Sequence, residues 1–307
     1  MVAEVSSGPD LRRPFTRADA IAAGIPPAEL RGSRFRRIFR GVYIRAEVPG
    51  HPLIRVRAAL VIHPPEAFAS HVSAGRVYDV PLPPLPEEDI SVFAEKDRRR
   101  RPGIRNHVVP QGTDVVTVNG VRVSGPERMF VELAHLLTLV DLAVVGDALV
   151  RLRRTTPEKL VAYCAAARLN ARRAAGYVRE HVDSAMETRL RMLIVLAGLP
   201  EPKVNHLIRD RDGRVIYRFD LSYPDLKILV EYDGRQHRDD LDVWDHDTDR
   251  QDWFDHNGSL RVPVFSRGVY RRPDRTLERV AAALRSRGAR LPGNLADDWK
   301  PHLPVRP

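Results

Sequence analysis

The chain has 307 residues, of which 43% are hydrophobic, and a net charge of +10; this length is enough for two or three domains with their own cores. No apolar run reaches the ~20 residues that a membrane-spanning helix needs, and the N-terminal sequence MVAEVSSGPDLRR lacks the apolar segment of a secretory signal. The single cysteine, Cys164, excludes an internal disulfide and a cysteine-rich zinc site. We therefore expect a cytoplasmic protein without a membrane partner.

Arginine dominates the basic residues: it supplies 45 of the 50, and lysine supplies 5. Arginine binds phosphate oxygens through two parallel N–H groups, and a basic surface attracts nucleic acid without reading its sequence. A GC-rich genome also favours arginine codons, so the bias alone leaves both explanations open. The positive total charge still favours a polyanionic partner.

Residues 15–46 predict a small helical unit that is followed by a hairpin. Thr16 is a suitable N-cap for a helix through Ala23, and Gly24 ends it. Pro26 and Pro27 can open a second short helix through Arg31, and a hairpin with its turn at Arg40-Gly41 follows. This spacing is typical of a helix-turn-helix with a basic wing that contacts DNA. The alternative is a capping subdomain with solvated arginines. The candidate DNA contacts are Arg31, Arg34, Arg36 and Arg37.

The middle region, residues 49–181, predicts a mixed α/β fold. Helices are expected over residues 51–64 and 66–78, and the Asn119-Gly120 pair indicates a hairpin turn. Further helices are expected from Pro126 to about Leu137 and over Leu139–Arg151, followed by an arginine-rich helix and linker over 165–181. The histidines of this region show no metal-ligand spacing and are interpreted as surface or packed residues: His63, His71, His107 and His135.

The third region, residues 182–290, predicts the element order α-β-β-β-α-β-α. Its helices are expected over residues 184–198, 243–257 and 273–286, and its strands over 203–210, 215–223, 227–234 and 260–267. Residues 291–307 are interpreted as a C-terminal tail. Together with the first two regions, this pattern indicates a mixed fold of helices and strands, α/β in the broad sense and α+β in the strict one.

The central hairpin of the third region concentrates acidic residues. A turn at Asp225-Leu226 would place Asp220 opposite Glu231, with apolar pairs on the other face and Asp233 beside the acids. Opposed Cβ atoms lie ~4.5–5.5 Å apart, so the two carboxylates would repel unless a cation such as Mg²⁺ lies between them. The alternative is a solvent-facing acidic edge strand that blocks aggregation.

Residues near the hairpin extend this candidate site. Glu187 either completes a capping box with Ser184 or contributes to the metal centre. Gln236 and His237 follow the turn at Gly234, and His237 is either a general acid or base or a surface histidine. Arg250, on the next expected helix, is a candidate phosphate ligand.

Two resemblances to known families accompany these patterns. The first 48 residues, with Gly41-Val42-Tyr43 in the hairpin, resemble the N-terminal winged helix of AbiEi-type antitoxins, as do the segments SHVSAGRVYDVPLP and VSGPERMFVELAHLL of the middle region. This resemblance implies binding to promoter DNA and, for an antitoxin of a type IV toxin-antitoxin system, a cognate toxin.

The second resemblance covers residues 184–285. Glu187, Asp220, the run Glu231-Tyr232-Asp233-Gly234 and the pair Gln236-His237 resemble the PD-(D/E)xK nuclease core of the branch similar to very-short-patch-repair (Vsr) endonucleases. It implies Mg²⁺- or Mn²⁺-dependent phosphodiester cleavage, with Asp220 and Glu231 as metal ligands. Asp233 stands where the wider superfamily has a lysine, so His237 is the candidate for water activation.

The sequence therefore leads to two hypotheses. The first is a DNA-binding protein with four regions: a winged helix-turn-helix (1–48), a mixed α/β domain (49–181), a metal-dependent endonuclease domain (182–290) and a tail (291–307). The second is a non-catalytic transcriptional regulator or antitoxin whose nuclease fold only binds. No prediction of oligomeric state follows from the sequence.

Overall fold

The computed structural model describes residues 10–209, 212–233 and 257–303, and the chain divides into two compact units, 1–135 and 136–307. Both units combine helices with β-sheet, which confirms the mixed α/β class. Within the described ranges, no helix is long and apolar enough to cross a membrane.

Unit 1 opens with a three-stranded sheet in the order β1-β3-β2. Its elements are β1 (Phe15–Thr16), α1 (Arg17–Ala22), a 3-10 turn (Glu29–Arg31), β2 (Phe35–Phe39) and β3 (Val42–Arg45). Thr16 caps α1 as expected, because its Oγ1 accepts from the backbone N of Asp19 at 3.2 Å. A small core fills the space between the helix and the sheet: Phe15, Ala20, Ile25, Leu30 and Phe35.

The second helix expected in this segment, Pro26 to Arg31, is only the single 3-10 turn Glu29–Arg31. Pro26 and Pro27 lack backbone N–H groups, and Gly32 ends the turn in an extended conformation, so too few residues are left to close an α-helical turn. Over residues 10–48, the described structure therefore has one α-helix and a hairpin, and the helix-turn-helix prediction is not confirmed.

The rest of unit 1 is a five-stranded sheet in the order β6-β5-β4-β8-β7 with three helices. Its elements are α2 (Pro52–Leu60), β4 (Phe68–Ala69), α3 (His71–Tyr78), β5 (Glu88–Val92), β6 (Ile104–Val108), β7 (Val115–Val118), β8 (Val121–Ser124) and α4 (Pro126–Leu133). The expected Asn119-Gly120 turn is confirmed, with positive φ angles of 51° and 69°.

The single helix expected over residues 66–78 is wrong in its first part. Phe68 and Ala69 form the central strand β4, which pairs with β5 on one side and β8 on the other. The helix α3 begins only at His71. The backbone N of Ser70, just before it, still donates to Asp89 O of β5 at 3.0 Å. The hydrogen bonds to two neighbouring strands therefore override the helical pattern of these residues.

Unit 2 begins with four helices, α5 (Leu139–Arg151), α6 (Pro157–Cys164), α7 (Leu169–Gly176) and α8 (Ala185–Leu196). The bounds expected for α5 are confirmed, whereas the helix expected over residues 165–181 is confined to α7. Asp147 of α5 bonds Thr188 Oγ1 at 2.8 Å and the Arg191 guanidinium at 3.0 Å, so α5 packs directly on α8. The division predicted at residue 181 separates these helices, but in the structure they share unit 2.

The C-terminal sheet has the order β12-β11-β10-β9, in which only the β11–β12 pair is parallel. Its elements are β9 (Lys203–Arg209), β10 (Val215–Tyr223), a 3-10 turn (Pro224–Leu226), β11 (Ile228–Tyr232), β12 (Leu260–Val264), α9 (Ser266–Tyr270) and α10 (Pro273–Ser286). The expected strands are confirmed within the described residues except at the end of the last one, because Ser266 and Arg267 belong to α9, a helix that was not expected. The helix expected over residues 243–257 lies outside the described residues except for Asn257.

The segment interpreted as a tail packs on unit 2. Trp299 and Leu303 are each 3% exposed, and the backbone N of Ala296 donates to Ala197 O at 2.9 Å. The chain after α10 is therefore part of the fold as far as residue 303.

Candidate active site

The central hairpin has the predicted register. Leu221 pairs with Val230 and Tyr223 with Ile228, which makes Asp220 and Glu231 the next opposed residues. The Asp220 side chain turns toward β11, because its Oδ2 accepts from the backbone N of Tyr232 at 3.1 Å. The two acids therefore lie at neighbouring positions of neighbouring strands.

The strand that carries Glu231 is not an edge strand. β11 lies between β10 and β12, and Glu231 is only 5% exposed. Leu229 and Ser222, which share the face of the acids in this register, are also buried. The alternative of a solvent-facing acidic edge strand is therefore wrong, and this carboxylate must be compensated inside the protein.

A basic residue of the next strand supplies that compensation. Arg261 of β12 donates from Nε to Glu231 Oε2 at 2.6 Å, and its side chain is 32% exposed. A charge-assisted hydrogen bond of this length neutralises much of the field of the carboxylate. Any cation that binds Glu231 must act together with Arg261 or displace it.

Glu187 takes part in the cap of α8, and its role in a metal centre stays a prediction. Its backbone N donates to Ser184 Oγ at 3.2 Å, and its Oε2 accepts from the backbone N of Asp183 at 3.1 Å, so it helps to cap α8. Burial first, and then the charge of Asp220, raise the pKa of Glu187 above its usual value. The carboxyl group of Glu187 in α8 therefore lies within electrostatic reach of Asp220 in the hairpin.

These acids do not form a closed three-ligand cluster. Within residues 10–209, 212–233 and 257–303, only His71, Asp89 and His107 bring three candidate ligand atoms within 4.8 Å of one another. The candidate site in unit 2 thus rests on the Asp220–Glu231 pair, with Glu187 nearby.

A cleft of about 950 Å³ lies at the carboxyl end of β11. Tyr232 and Asp233 form one part of it, and the backbone N of Asp233 donates to Val264 O at 2.8 Å. The basic residues that line the cleft come from α9, α10 and the connection between them: Arg267, Arg272, Arg275 and Arg279. Arginine groups of this kind bind phosphate oxygens.

The remaining predicted site residues lie outside the described residues or belong to unit 1. Gln236, His237 and Arg250 lie outside the described residues. In unit 1, Arg31 and Arg37 are exposed, while Arg34 pairs with Glu29 at 2.9 Å. The partly buried Arg36 donates to Val48 O at 3.2 Å.

Sequence reasoning missed the group formed by His71, Asp89 and His107. The interpretation of His71 and His107 as packed histidines agrees with the structure, in which their rings stack with centroids 4.0 Å apart, but nothing in the sequence indicated that the two residues meet. The two residues are 36 positions apart in the chain and meet because β6 pairs in parallel with β5. Ligand spacing within one motif could not reveal this contact, since strand order is not encoded locally.

Comparisons with known proteins add a distant similarity. No protein-family model matches the chain. Uncharacterized protein MT2308 of Mycobacterium tuberculosis (strain CDC 1551 / Oshkosh) is 25% identical over 178 residues, and uncharacterized protein Rv2248 of strain ATCC 25618 / H37Rv matches equally. The alignment covers 56% of this chain and 65% of each relative, so it spans just under two thirds of the relatives' own length. Neither name states an activity.

Proposed function

We propose that the protein is a cytoplasmic DNA-binding protein whose C-terminal unit is a Mg²⁺-dependent endonuclease that hydrolyses phosphodiester bonds. The observation that carries the proposal is the position of Asp220 and Glu231 on two neighbouring interior strands, directly beyond the Leu221–Val230 pair, with the buried Glu187 within electrostatic reach of Asp220. Acids that approach one another in a partly buried site are unfavourable without a cation, and their oxygens are the ligands that Mg²⁺ and Mn²⁺ prefer. A PD-(D/E)xK-type core is the finer fold that this arrangement favours.

Asp220 and Glu231 would hold the metal in this proposal. When bound, Mg²⁺ supplies a Lewis acid that acidifies a water molecule and neutralises charge on the phosphate. The chain's own contribution is to fix both carboxylates: Asp220 through the Tyr232 N–H, and Glu231 through Arg261.

The arginine-lined cleft is the proposed binding place for the DNA backbone. Arg272 and Arg275 line it on the side of α10, and Asp233 lines it at the end of β11. Arginine stays protonated at neutral pH, so these residues can orient phosphate and stabilise its charge but cannot accept the proton of the attacking water. His237 remains the proposed proton acceptor, as predicted from the sequence.

The N-terminal part of unit 1 is the proposed second DNA contact. Arg31 and Arg37 expose their side chains beside the β2–β3 hairpin. Because the second helical segment is a single turn, the hairpin and its arginines are better placed than a recognition helix to contact phosphates. We expect this contact to give affinity more than sequence specificity.

One observation favours a second candidate function. The 2.6 Å contact between Arg261 and Glu231 already compensates the charge that a metal would compensate. A nuclease fold with this internal pair can bind DNA without cutting it. The protein would then be a transcriptional regulator, or an antitoxin of a type IV toxin-antitoxin system with a cognate toxin as partner.

A cleavage assay separates the two functions. The purified full-length protein is incubated with supercoiled plasmid and Mg²⁺ or Mn²⁺, beside the Asp220→Ala and Glu231→Ala variants. Asp225→Ala is the matched control, because Asp225 is an exposed acid in the turn of the same hairpin. We expect nicking or linearisation by the wild type and the control, and a loss of at least about 100-fold in both site variants, since an essential catalytic group contributes ~10²–10⁴-fold.

Two results would contradict the endonuclease proposal. Cleavage that persists in both site variants would show that the activity belongs elsewhere or to a contaminant. No cleavage with either metal, together with tight binding to promoter DNA, would favour the regulator.

A further inference from the structure

Three polar residues of unit 1 meet at one end of the five-stranded sheet. His71 is the first residue of α3, Asp89 lies in β5 and His107 lies in β6. Because Ser91 pairs with His107 and alternate residues of a strand share a face, Asp89 and His107 project from the same face of the sheet. The backbone N of Ser70 donates to Asp89 O, which fixes the start of α3 beside that face.

The distances within this group are those of a small ligand set. His107 Nε2 lies 2.8 Å from Asp89 Oδ1, and the rings of His71 and His107 stack at 4.0 Å with an angle of 15° between their planes. One ligand atom from each residue lies within 4.8 Å of the other two. Neighbouring ligand atoms around a metal ion with bonds of ~2.0–2.1 Å lie roughly 3 Å apart, and imidazole lone pairs lie in the ring plane. The two stacked rings would therefore turn out of their parallel arrangement on binding an ion.

Contacts behind His71 favour one coordinating nitrogen. Its Nδ1 lies 3.1 Å from Ser70 Oγ and 3.7 Å from Glu132 Oε2. Metal-binding histidines commonly direct their second ring nitrogen to a carboxylate or hydroxyl in this way, which leaves Nε2 for the metal.

Glu132 is itself held firmly. It accepts hydrogen bonds from Ser124 Oγ at 2.9 Å, from Arg128 Nε at 2.8 Å and from the backbone N of His71 at 2.9 Å. The orientation of the His71 ring is therefore supported by a fixed partner.

The charge around Asp89 also suits coordination. Asp89 is 1% exposed. Arg105 Nε lies 3.8 Å from Asp89 Oδ1, and the same guanidinium also pairs with Glu87, so Asp89 shares this arginine with a second carboxylate.

We propose that His71, Asp89 and His107 bind one divalent first-row transition-metal ion, for which Zn²⁺ is the test probe. Two imidazoles and one carboxylate select such ions over Mg²⁺ and Ca²⁺, and three protein ligands leave a position for water or another ligand. The side chains of His71 and His107 are 17% and 25% exposed, so the ion reaches the site from solvent. The ion would join the start of α3 to β5 and β6.

The test uses full-length protein without a histidine tag, freed of metal with a chelator. Binding of Zn²⁺ is measured by competition with a chromophoric chelator, and Co²⁺ is added to record its visible absorption. The site variants are His71→Gln and His107→Gln. His135→Gln is the matched control for an exposed histidine of the same unit, and Asp220→Ala tests independence from unit 2.

The wild type and both controls should bind one Zn²⁺ per chain at this site. Each site variant should lose more than the ~10–100-fold in affinity that removal of a ligand's hydrogen-bond partner costs. The Co²⁺ spectrum of the wild type should show bands of nitrogen-containing coordination that both site variants lack. Far-UV circular dichroism of the metal-free variants verifies their folding.

The proposal fails if the metal-free wild type shows neither Zn²⁺ binding nor a Co²⁺ spectrum, a result that does not depend on whether any variant folds. It also fails if folded His71→Gln and His107→Gln bind Zn²⁺ as tightly as His135→Gln. Because the ligands belong to unit 1 alone, this outcome leaves the proposed endonuclease of unit 2 untouched.

Discussion

Two buried carboxylates, one in each unit of this protein, have different partners. In unit 1, Asp89 lies against the His107 imidazole, which can exchange a proton for a metal ion. In unit 2, Glu231 is bonded to the permanently charged Arg261. The first arrangement suits a transition metal, whereas the second suits either Mg²⁺ with phosphate or no metal at all.

A third buried acid shows what a purely structural pair looks like. Asp147 is 2% exposed, and it accepts from Arg191, Thr188 and the backbone N of Arg179. Arg191 is fully buried and also donates to Tyr177 O and Glu201. This network leaves no place for an ion, and the comparison therefore predicts different responses of the three sites to mutation and to metals.

The largest effect is expected at the structural pair. Arg191→Met leaves Asp147 buried without its main charged partner, which should lower the free energy of unfolding by about 3–5 kcal/mol. Urea denaturation measures this loss, and no divalent ion should restore it. The double variant Asp147→Leu with Arg191→Met should lose less than the single one, because no unpaired charge remains. An equal or greater loss in the double variant would contradict this account of the pair.

Arg261→Ala should cost somewhat less, about 3 kcal/mol in metal-free buffer, because its side chain is partly exposed and Glu231 is not. Unlike the structural pair, this variant should regain stability when Mg²⁺ or Mn²⁺ is added, since the ion replaces the lost cation. Urea denaturation with and without metal measures both effects, and the exposed Arg290→Ala is the control. Failure of both metals to restore stability would favour the regulator.

Asp220→Asn should change stability in a pH-dependent way. Burial and the charge of Asp220 raise the pKa of Glu187 in the folded state. Protonated Glu187 therefore stabilises the fold below the ordinary pKa of a glutamate. This stabilisation is lost as the pH rises through the raised pKa of Glu187. Removing the charge of Asp220 reduces that loss. The variant should therefore be more stable than the wild type at pH 7.

Thermal unfolding between pH 4 and pH 8 checks this sign, with Asp225→Asn as the control. The difference between Asp220→Asn and the wild type should shrink toward pH 4. A difference that is constant over the range, or that favours the wild type at pH 7, would show that Asp220 does not disfavour ionisation of Glu187.

The smallest effects are expected in the arginine-lined cleft. Arg272→Ala and Arg275→Ala should each weaken DNA binding by a few-fold and reduce the slope of log affinity against log salt by about one. Fluorescence anisotropy with a labelled duplex at several salt concentrations measures both quantities, and Arg290→Ala is again the control. Unchanged slopes in both variants would exclude the cleft as a phosphate contact.

The sequence predicted much of unit 2 because its signals are local. The alternation of apolar and acidic residues and the turn at Asp225-Leu226 predicted the register of the central hairpin. Pro273 indicated the start of α10. It could not predict that Arg261 would reach Glu231, because this contact depends on the parallel pairing of β11 with β12. Whether the acids face solvent or a covered interior also depends on strand order.

In unit 1, even more of the structure depends on strand order, which the sequence does not reveal. The β4–α3 boundary at Ser70 depends on hydrogen bonds to β5 and β8, and the His71–His107 contact depends on the pairing of β5 with β6. Strand order is a non-local property, so no motif could place these residues together. The short second helix expected after Gly24 failed for a local reason, since two prolines precede a single 3-10 turn.

The most direct test of the central claim is a single-turnover plasmid cleavage measurement with the isosteric variant Glu231→Gln in Mg²⁺. Glutamine preserves the size of the side chain but removes the charge that would hold the metal. We expect cleavage by the wild type and by His107→Gln, whose metal site is separate, and a loss of at least about 100-fold in Glu231→Gln. Equal cleavage by Glu231→Gln and the wild type would contradict it.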